Sequence, residues 1–313
     1  MTLNDHISNY VCPRGHNHVG NVIDQRGDFQ ALECISCGFV HAVPLPTSDE
    51  LAEFYQSKFY ESDRKVDYFE AQAAQKDWWH ELFGERLAAF EKQIGRKGRV
   101  LDLGCGPGFF LSFAKDQGWE SVGVEPSEKA SSFARDELGL TIHNQGFETL
   151  DAGTLGQFDV VYSHGVIEHL QSPKAFIDLA SSLLVSGGLV FINCANDFNP
   201  FQKVVRETQG YPCWWFVPPE HLNYFTVTSL AKFVEANGFT VADRTTSFPI
   251  DMFLLMGDNY VETPAIGKEC HGRRVAFESA LEKAGLQSLK KDLYKAFADL
   301  DLGRQIDLIA RKN

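Results

Sequence analysis

The sequence predicts an α/β protein built on a parallel, doubly wound sheet, and three observations carry that expectation. First, apolar runs of strand length alternate with helically spaced runs from residue 99 onward. Second, the run Val100, Leu101 and Leu103 breaks at Gly104-Cys105-Gly106-Pro107-Gly108, and a helix pattern of Phe109, Phe110, Leu111, Phe113 and Ala114 follows at once. Third, the next apolar run, Val122 to Val124, ends in an acidic residue, Glu125. Glycines suit a tight turn whose bare backbone touches a ligand. A carboxylate at the end of the second strand suits the two hydroxyls of a ribose.

The elements divide the chain into five stretches. Residues 1–45 hold Cys12, His16, His18, Cys34, Cys37 and His41 and read as a small metal-binding segment. Residues 46–96 start at a proline-marked boundary and continue with Trp78, Trp79, Leu82, Phe83, Leu87 and Phe90 at helical spacing. Residues 97–247 carry strands near 99–104, 121–125, 140–144, 158–163, 188–194 and 239–246, with helices near 109–117, 128–137, 173–184 and 227–237. Residues 248–303 form an insertion with helices near 271–284 and 288–300. Its apolar run Phe253, Leu254, Leu255 and Met256 suits either a substrate cover or a homodimer contact. Residues 304–313 alternate in polarity and supply a seventh strand.

Composition narrows the classes. In 313 residues, 44% are hydrophobic and 23% charged, which suits a globular chain with a sizeable core. The formal charge is 29 − 42 = −13 with no long basic run, which argues against nucleic-acid and membrane partners. No apolar stretch is long enough to span a bilayer, and the first residues lack a signal-peptide pattern. Seven cysteines, spread unevenly, suit a reduced, cytoplasmic setting.

Two details turn the glycine unit away from dinucleotides. Its pattern is G-x-G-x-G, and Asp102 stands two residues before the first glycine, where it repels phosphate and attracts a cation. D-L-G-C-G-P-G followed by V-G-V-E-P resembles the first motif and its acidic partner in class I S-adenosylmethionine-dependent methyltransferases. That resemblance implies a Rossmann-like, seven-stranded sheet whose last strand is antiparallel. It implies that Asp102, Gly104, Cys105, Gly106 and Gly108 cradle the methionine part of the cofactor, and that Glu125, with Pro126, holds the ribose. Phe147 and Glu148 match the adenine position, and the helices before residue 99 are expected to cover the cofactor. Ser163-His164-Gly165-Val166-Ile167-Glu168-His169 resembles the segment under the sulfonium in ubiquinone-type and sugar-modifying O-methyltransferases, so Ser163 and His164 are expected at the cofactor. The family's acidic or polar residue at that strand end is here replaced by Ser163-His164.

The N-terminal cysteines point to a metal. Cys34-Ile-Ser-Cys37-Gly38 is a turn in which two thiolates converge on one tetrahedral zinc. Cys12 and either His16 or His18 supply the other pair; the expected set is Cys12, His16, Cys34 and Cys37. The segment resembles the zinc-ribbon-like N-terminus of some bacterial methyltransferases, which implies a structural zinc.

The acceptor end is expected around Pro218-Pro219-Glu220-His221-Leu222-Asn223-Tyr224-Phe225-Thr226. His221 is the first candidate for a base that removes an acceptor proton, and His169 the second. Tyr211, Trp214, Trp215 and Phe216 offer an aromatic wall for a sugar ring or a planar acceptor. The expected function is O-methylation of a sugar or related hydroxyl on a small molecule. N- or C-methylation, a nicotinamide-dependent oxidoreductase and a non-catalytic cofactor-binding module are the alternatives.

Overall fold

The computed structural model describes residues 7–11, 17–47, 49–51 and 75–313. Five short strands open the description: β1 (Ile7–Val11), β2 (Asn17–Arg26), β3 (Phe29–Cys34) and β4 (Val40–Val43) pair antiparallel in chain order, and β10 (Asn223–Tyr224) joins the edge of β4. β2 and β3 form a hairpin, with Gly27 at φ 59° in its two-residue turn. β10 comes from far along the chain, so this small sheet is stitched to the rest of the molecule rather than appended to it.

Helix α1 (Lys76–Ile94) buries Phe83, Leu87 and Phe90, spaced as one helical face, and ends where Gly95 turns left-handed and returns its N–H to the Glu91 carbonyl at 2.7 Å. Arg86 lies on that buried face. A guanidinium so placed needs a full set of acceptors, and Asp307 supplies two, at 2.9 and 3.0 Å.

The main sheet comprises β5 (Arg99–Leu103), β6 (Glu120–Val124), β7 (Thr141–His143), β8 (Phe158–His164), β9 (Leu184–Ala195), β11 (Phe239–Thr246) and β12 (Gln305–Lys312). Their spatial order is β11-β12-β9-β8-β5-β6-β7. The strands from β7 across to β9 are parallel, and β12 runs antiparallel to both its neighbours. This is the expected seven-stranded Rossmann-like sheet. The connections divide between two core clusters: α2 (Phe109–Asp116) and α3 (Glu128–Asp136) pack with α1 in one, the short α4 (Ala152–Leu155), α5 (Pro173–Leu183) and, after α6 (Pro200–Gln209), α7 (Val227–Ala236) in the other. Leu101, Val161, Ile192, Phe158, Phe176 and Phe191 are buried between them. Each contributes about 1.5–3 kcal/mol of burial, and truncating Leu101 to Ala would cost about 2–5 kcal/mol. Order reverses between β5 and β8, so a cleft opens beyond their carboxyl ends, where ligands bind in such sheets.

The insertion holds α8 (Asp251–Leu255), α9 (Pro264–Lys283) and α10 (Gln287–Asp299). It leans on α1: the Trp78 indole meets Glu278, and Lys290 pairs with Glu85 at 3.2 Å. Phe253 and Leu254 are buried inside the chain and only Met256 of that run is exposed, so the run that suggested a dimer contact is largely used internally. Among the described residues no helix is long and apolar enough to cross a membrane.

Candidate functional site

The cofactor end is assembled from adjacent pieces of chain. As β5 ends, the N–H groups of Gly104 and Cys105 both donate to the Val124 carbonyl, at 2.9 and 3.1 Å, clamping the turn to β6. Gly104 has φ +84°, and a Cβ there would stand 2.6 Å from Val166 Cγ2, so no side chain fits. Gly106, at φ +51°, faces open space, leaving its backbone bare toward the cleft. Gly108 sits left-handed as the N-cap of α2. Cys105 is buried with its thiol pushed up by that burial.

Glu125 braces this turn. Its carboxylate accepts the Gly106 N–H and the Ser127 N–H, both at 2.8 Å, and Ser127 in turn caps α3. Each carboxylate oxygen carries further lone pairs, so a ribose hydroxyl can still be accepted. The Asn144 amide donates to the carbonyls of Glu125 and Pro126, fixing the strand end.

Asp102 is 3% exposed, and its Oδ1 has no hydrogen-bond partner among the described residues. Burial first, and then the charge of Glu125, push its carboxyl well above the usual range. An orphaned buried carboxylate beside bare glycines fits a ligand that brings positive charge. A cavity of about 60 Å³ adjoins it, walled by Asp102, Gly104, Gly106, Trp79, Tyr162 and His164.

His164 is the histidine on that wall. Arg86 Nη1 donates to its Nδ1 at 3.0 Å and contacts the Tyr162 hydroxyl at 2.5 Å. A guanidinium only donates, so the neutral ring carries its proton on Nε2. Burial, with the Arg86 charge adding, drops the His164 pKa to about 3 and keeps the ring neutral. Ser163, one residue earlier, is wholly buried and does not line the cavity; alternation along β8 gives the wall to Tyr162 and His164.

The expected acceptor end lies one turn further on. The rings of His169 and His221 meet edge to face, 4.8 Å between centroids. His169 Nδ1 donates to the Glu220 carbonyl at 2.6 Å, which leaves Nε2 as that ring's acceptor nitrogen. Glu168 is buried, with its carboxyl pushed up to about 7 by burial. The Leu222 N–H donates to the Glu168 carbonyl at 2.7 Å, and the Asn223 amide donates to the carbonyls of Ile167 and Leu170. Two loops distant in sequence are thereby held as one. Neither His169 nor His221 lines the small cavity.

In the N-terminal sheet, one ligand atom each from His18, Cys34, Cys37 and His41 lies within 4.8 Å of the others. His18 Nδ1 is 3.2 Å from Cys37 Sγ and 3.6 Å from Cys34 Sγ. The Cys34 thiol is lowered well below its usual range, chiefly by its hydrogen bond with Cys37, with His41 and His18 adding. Cys12 and His16, expected as donors, lie outside the described residues. His18, the alternative to His16, is in the cluster. His41, which the sequence reading did not place among the ligands, joins the cluster because β4 returns past the Cys34–Cys37 turn. A cavity of about 790 Å³ borders this cluster and touches none of the glycine turn.

The remaining expectations fall as follows. Phe147 sits in a one-turn helix after β7 with its ring 6.1 Å from Phe176, while the side chain of Glu148 lies outside the described part. Trp215 and Phe216 are core residues, whereas Tyr211 and Trp214 are half-buried with rings 6.0 Å apart. Sequence reasoning names His164 but not its partners Arg86, Tyr162 and Asp307. Their one sequence signal was an arginine on the apolar face of a helix.

Comparison with known proteins gives a consistent picture. The family described as methyltransferase domain matches residues 71–243, more than half of the chain. The chain is 31% identical over 134 residues to a ubiquinone biosynthesis O-methyltransferase of Aromatoleum aromaticum, covering 38% of this chain and 57% of the relative. With the protein of the same description from Azoarcus sp., identity is 32% over 190 residues, covering 52% and 81%. In structure it is similar to the magnesium protoporphyrin IX methyltransferase of Synechocystis PCC 6803, solved with S-adenosylhomocysteine, at TM-score 0.51 and 14% identity over 85% of this chain and all of that one.

Proposed function

Because the chain belongs to the family of the methyltransferase domain and is an S-adenosylmethionine-dependent methyltransferase, we propose that it methylates a hydroxyl of a small-molecule acceptor, a sugar or related ring hydroxyl. The observation that carries the cofactor half is the orphaned Asp102 carboxylate beside the glycine turn that Glu125 braces. When bound, S-adenosylmethionine supplies a methyl group activated by a sulfonium. Asp102 would offset the ligand's positive charge, the backbone of Gly104 to Gly106 would hold its methionine part, and Glu125 would accept from the ribose. Phe147, and Pro126 at the strand end, would hold the adenine side.

The hydroxyl acceptor is supported by the relatives, whose names describe O-methyltransferases of ubiquinone biosynthesis. Of the two candidate bases, His169 is favoured over His221, because its Nδ1–H bond to the Glu220 carbonyl sets the orientation and tautomer of the ring. The half-buried Tyr211 and Trp214 offer a face for a sugar ring. In the N-terminal sheet, His18, Cys34, Cys37 and His41 would hold a zinc; four protein donors leave no open position, so its role is structural.

Calorimetry should show S-adenosylhomocysteine binding and no heat with NAD. A labelled-methyl assay over sugar nucleotides, free sugars and catechols should then find a product stable to mild base, as an ether is. Binding of NAD alone would overturn the reading, and methyl transfer confined to amines would overturn the hydroxyl assignment.

A further inference from the structure

We infer that the metal cluster is a brace for the acceptor loops: occupancy of His18, Cys34, Cys37 and His41 fixes the segments that carry His169 and His221. The inference rests on the reading of those four residues as a zinc site and of those loops as the acceptor end.

His41 is the joint between the two. It is 2% exposed on β4, and its Cα pairs opposite Asn223 of β10. One residue on, the Ala42 N–H donates to the Leu222 carbonyl at 2.8 Å. Leu222, wholly buried, passes the connection on through its own N–H to the Glu168 carbonyl at 2.7 Å. Asn223, 4% exposed, adds its bonds to the Ile167 and Leu170 carbonyls at 3.1 and 2.6 Å. A metal donor is therefore two hydrogen-bonded steps from the residue before His169 and one step from the residue after His221. His18, Cys37 and His41 also share the walls of the 790 Å³ cavity with Gln171 and Asn223.

The lengths of the strands make the coupling physical. β10 has two residues and β4 has four, too few for a ladder that holds itself. β10 keeps its place through β4 on one side and the Glu168 loop on the other. β4 follows directly from the Cys34–Cys37 turn, which a metal would tie to His18 on β2 and to His41 itself. These groups are buried, so bonds lost between β4 and β10 are not replaced by water. The cofactor turn is clamped differently, by its own bonds from Gly104 and Cys105 to Val124 and from Gly106 to Glu125.

The test uses the full chain, zinc-loaded, stripped by a tight chelator, and reloaded with zinc alone. Amide hydrogen exchange is followed in peptides covering 17–43, 99–126, 165–171 and 217–225, with S-adenosylhomocysteine affinity measured alongside. Stripping should speed exchange in 165–171 and 217–225 by about tenfold or more, reversibly, with 99–126 unchanged and affinity within about twofold. His41→Ala should reproduce the stripped pattern, and His41→Cys, which restores a zinc donor, should return it toward the loaded one. Faster exchange confined to 17–43, or spread equally into 99–126, would overturn the inference, as would protein that copurifies with less than about a tenth of an equivalent of zinc. Failure to bind S-adenosylhomocysteine would count against the methyltransferase reading alone, because the coupling is judged on exchange.

Discussion

The two ends of this site are built in opposite ways. At the cofactor end, Asp102, the glycine turn, Glu125 and Ser127 fall within one strand-turn-helix-strand unit, and their bonds span no more than about a score of positions. At the acceptor end, Glu168 and His169 meet Glu220 to Asn223 across some fifty positions, and β4 joins from the far end of the chain. A ligand common to many enzymes is met by a local device. The loops proposed for the acceptor are ones that only the finished fold brings together.

The contrast is sharpest in rate. His169→Ala should lower turnover by about 10²- to 10⁴-fold while S-adenosylhomocysteine affinity stays within about twofold. His221→Ala should cost less. Equal losses in the two variants, or a parallel loss of cofactor affinity, would erase the division between the ends.

Stability probes the residue that belongs to neither unit. Asp307→Ala strands the buried Arg86 guanidinium and should cost about 3–5 kcal/mol in denaturant unfolding. A loss under about 1 kcal/mol would mean that Tyr162 and His164 suffice for Arg86.

Glu125→Ala attacks the cofactor end alone. It should weaken S-adenosylhomocysteine binding by about 1–3 kcal/mol through loss of both the ribose contact and the Gly106 brace. Unchanged affinity would remove the main support for the cofactor reading.

The effect with the shallowest slope is in pH. His164 has an ordinary pKa of 6.5 unfolded and about 3 folded, so between those values the unfolded chain binds the extra proton. Its contribution to stability is complete above pH 6.5 and is lost as pH falls toward 3. Replacing it with Asn should flatten the acid limb of a stability profile by up to about 1.4 kcal/mol per pH unit.

This contrast also explains what the sequence disclosed. The strands and helices of the main sheet were legible because β5, β8 and β9 are near-continuous apolar runs, and the glycine turn has a fixed spacing. Asp102 was legible as a misfit, a carboxylate where phosphate would be repelled. The parts played by His41 and Arg86 were not, because a side chain brought to the cysteine turn by a returning strand and a partner supplied by Asp307 have no signature in neighbouring residues. The exclusion of Ser163 from the cavity wall was readable in principle, since His164 and Tyr162 share the other face of β8.

The placement of β12 has a consequence for the order in which the molecule can be made. That strand lies between β9 and β11, yet it follows both of them in the chain. Until residues 305–312 emerge during synthesis, β9 ends the growing sheet with an open edge and β11 has no partner in it. Arg86, positioned more than two hundred residues earlier, waits equally long for Asp307. The sheet is therefore completed by an insertion rather than an addition, and for that interval the open edge of β9 is exposed to pairing with the wrong chain.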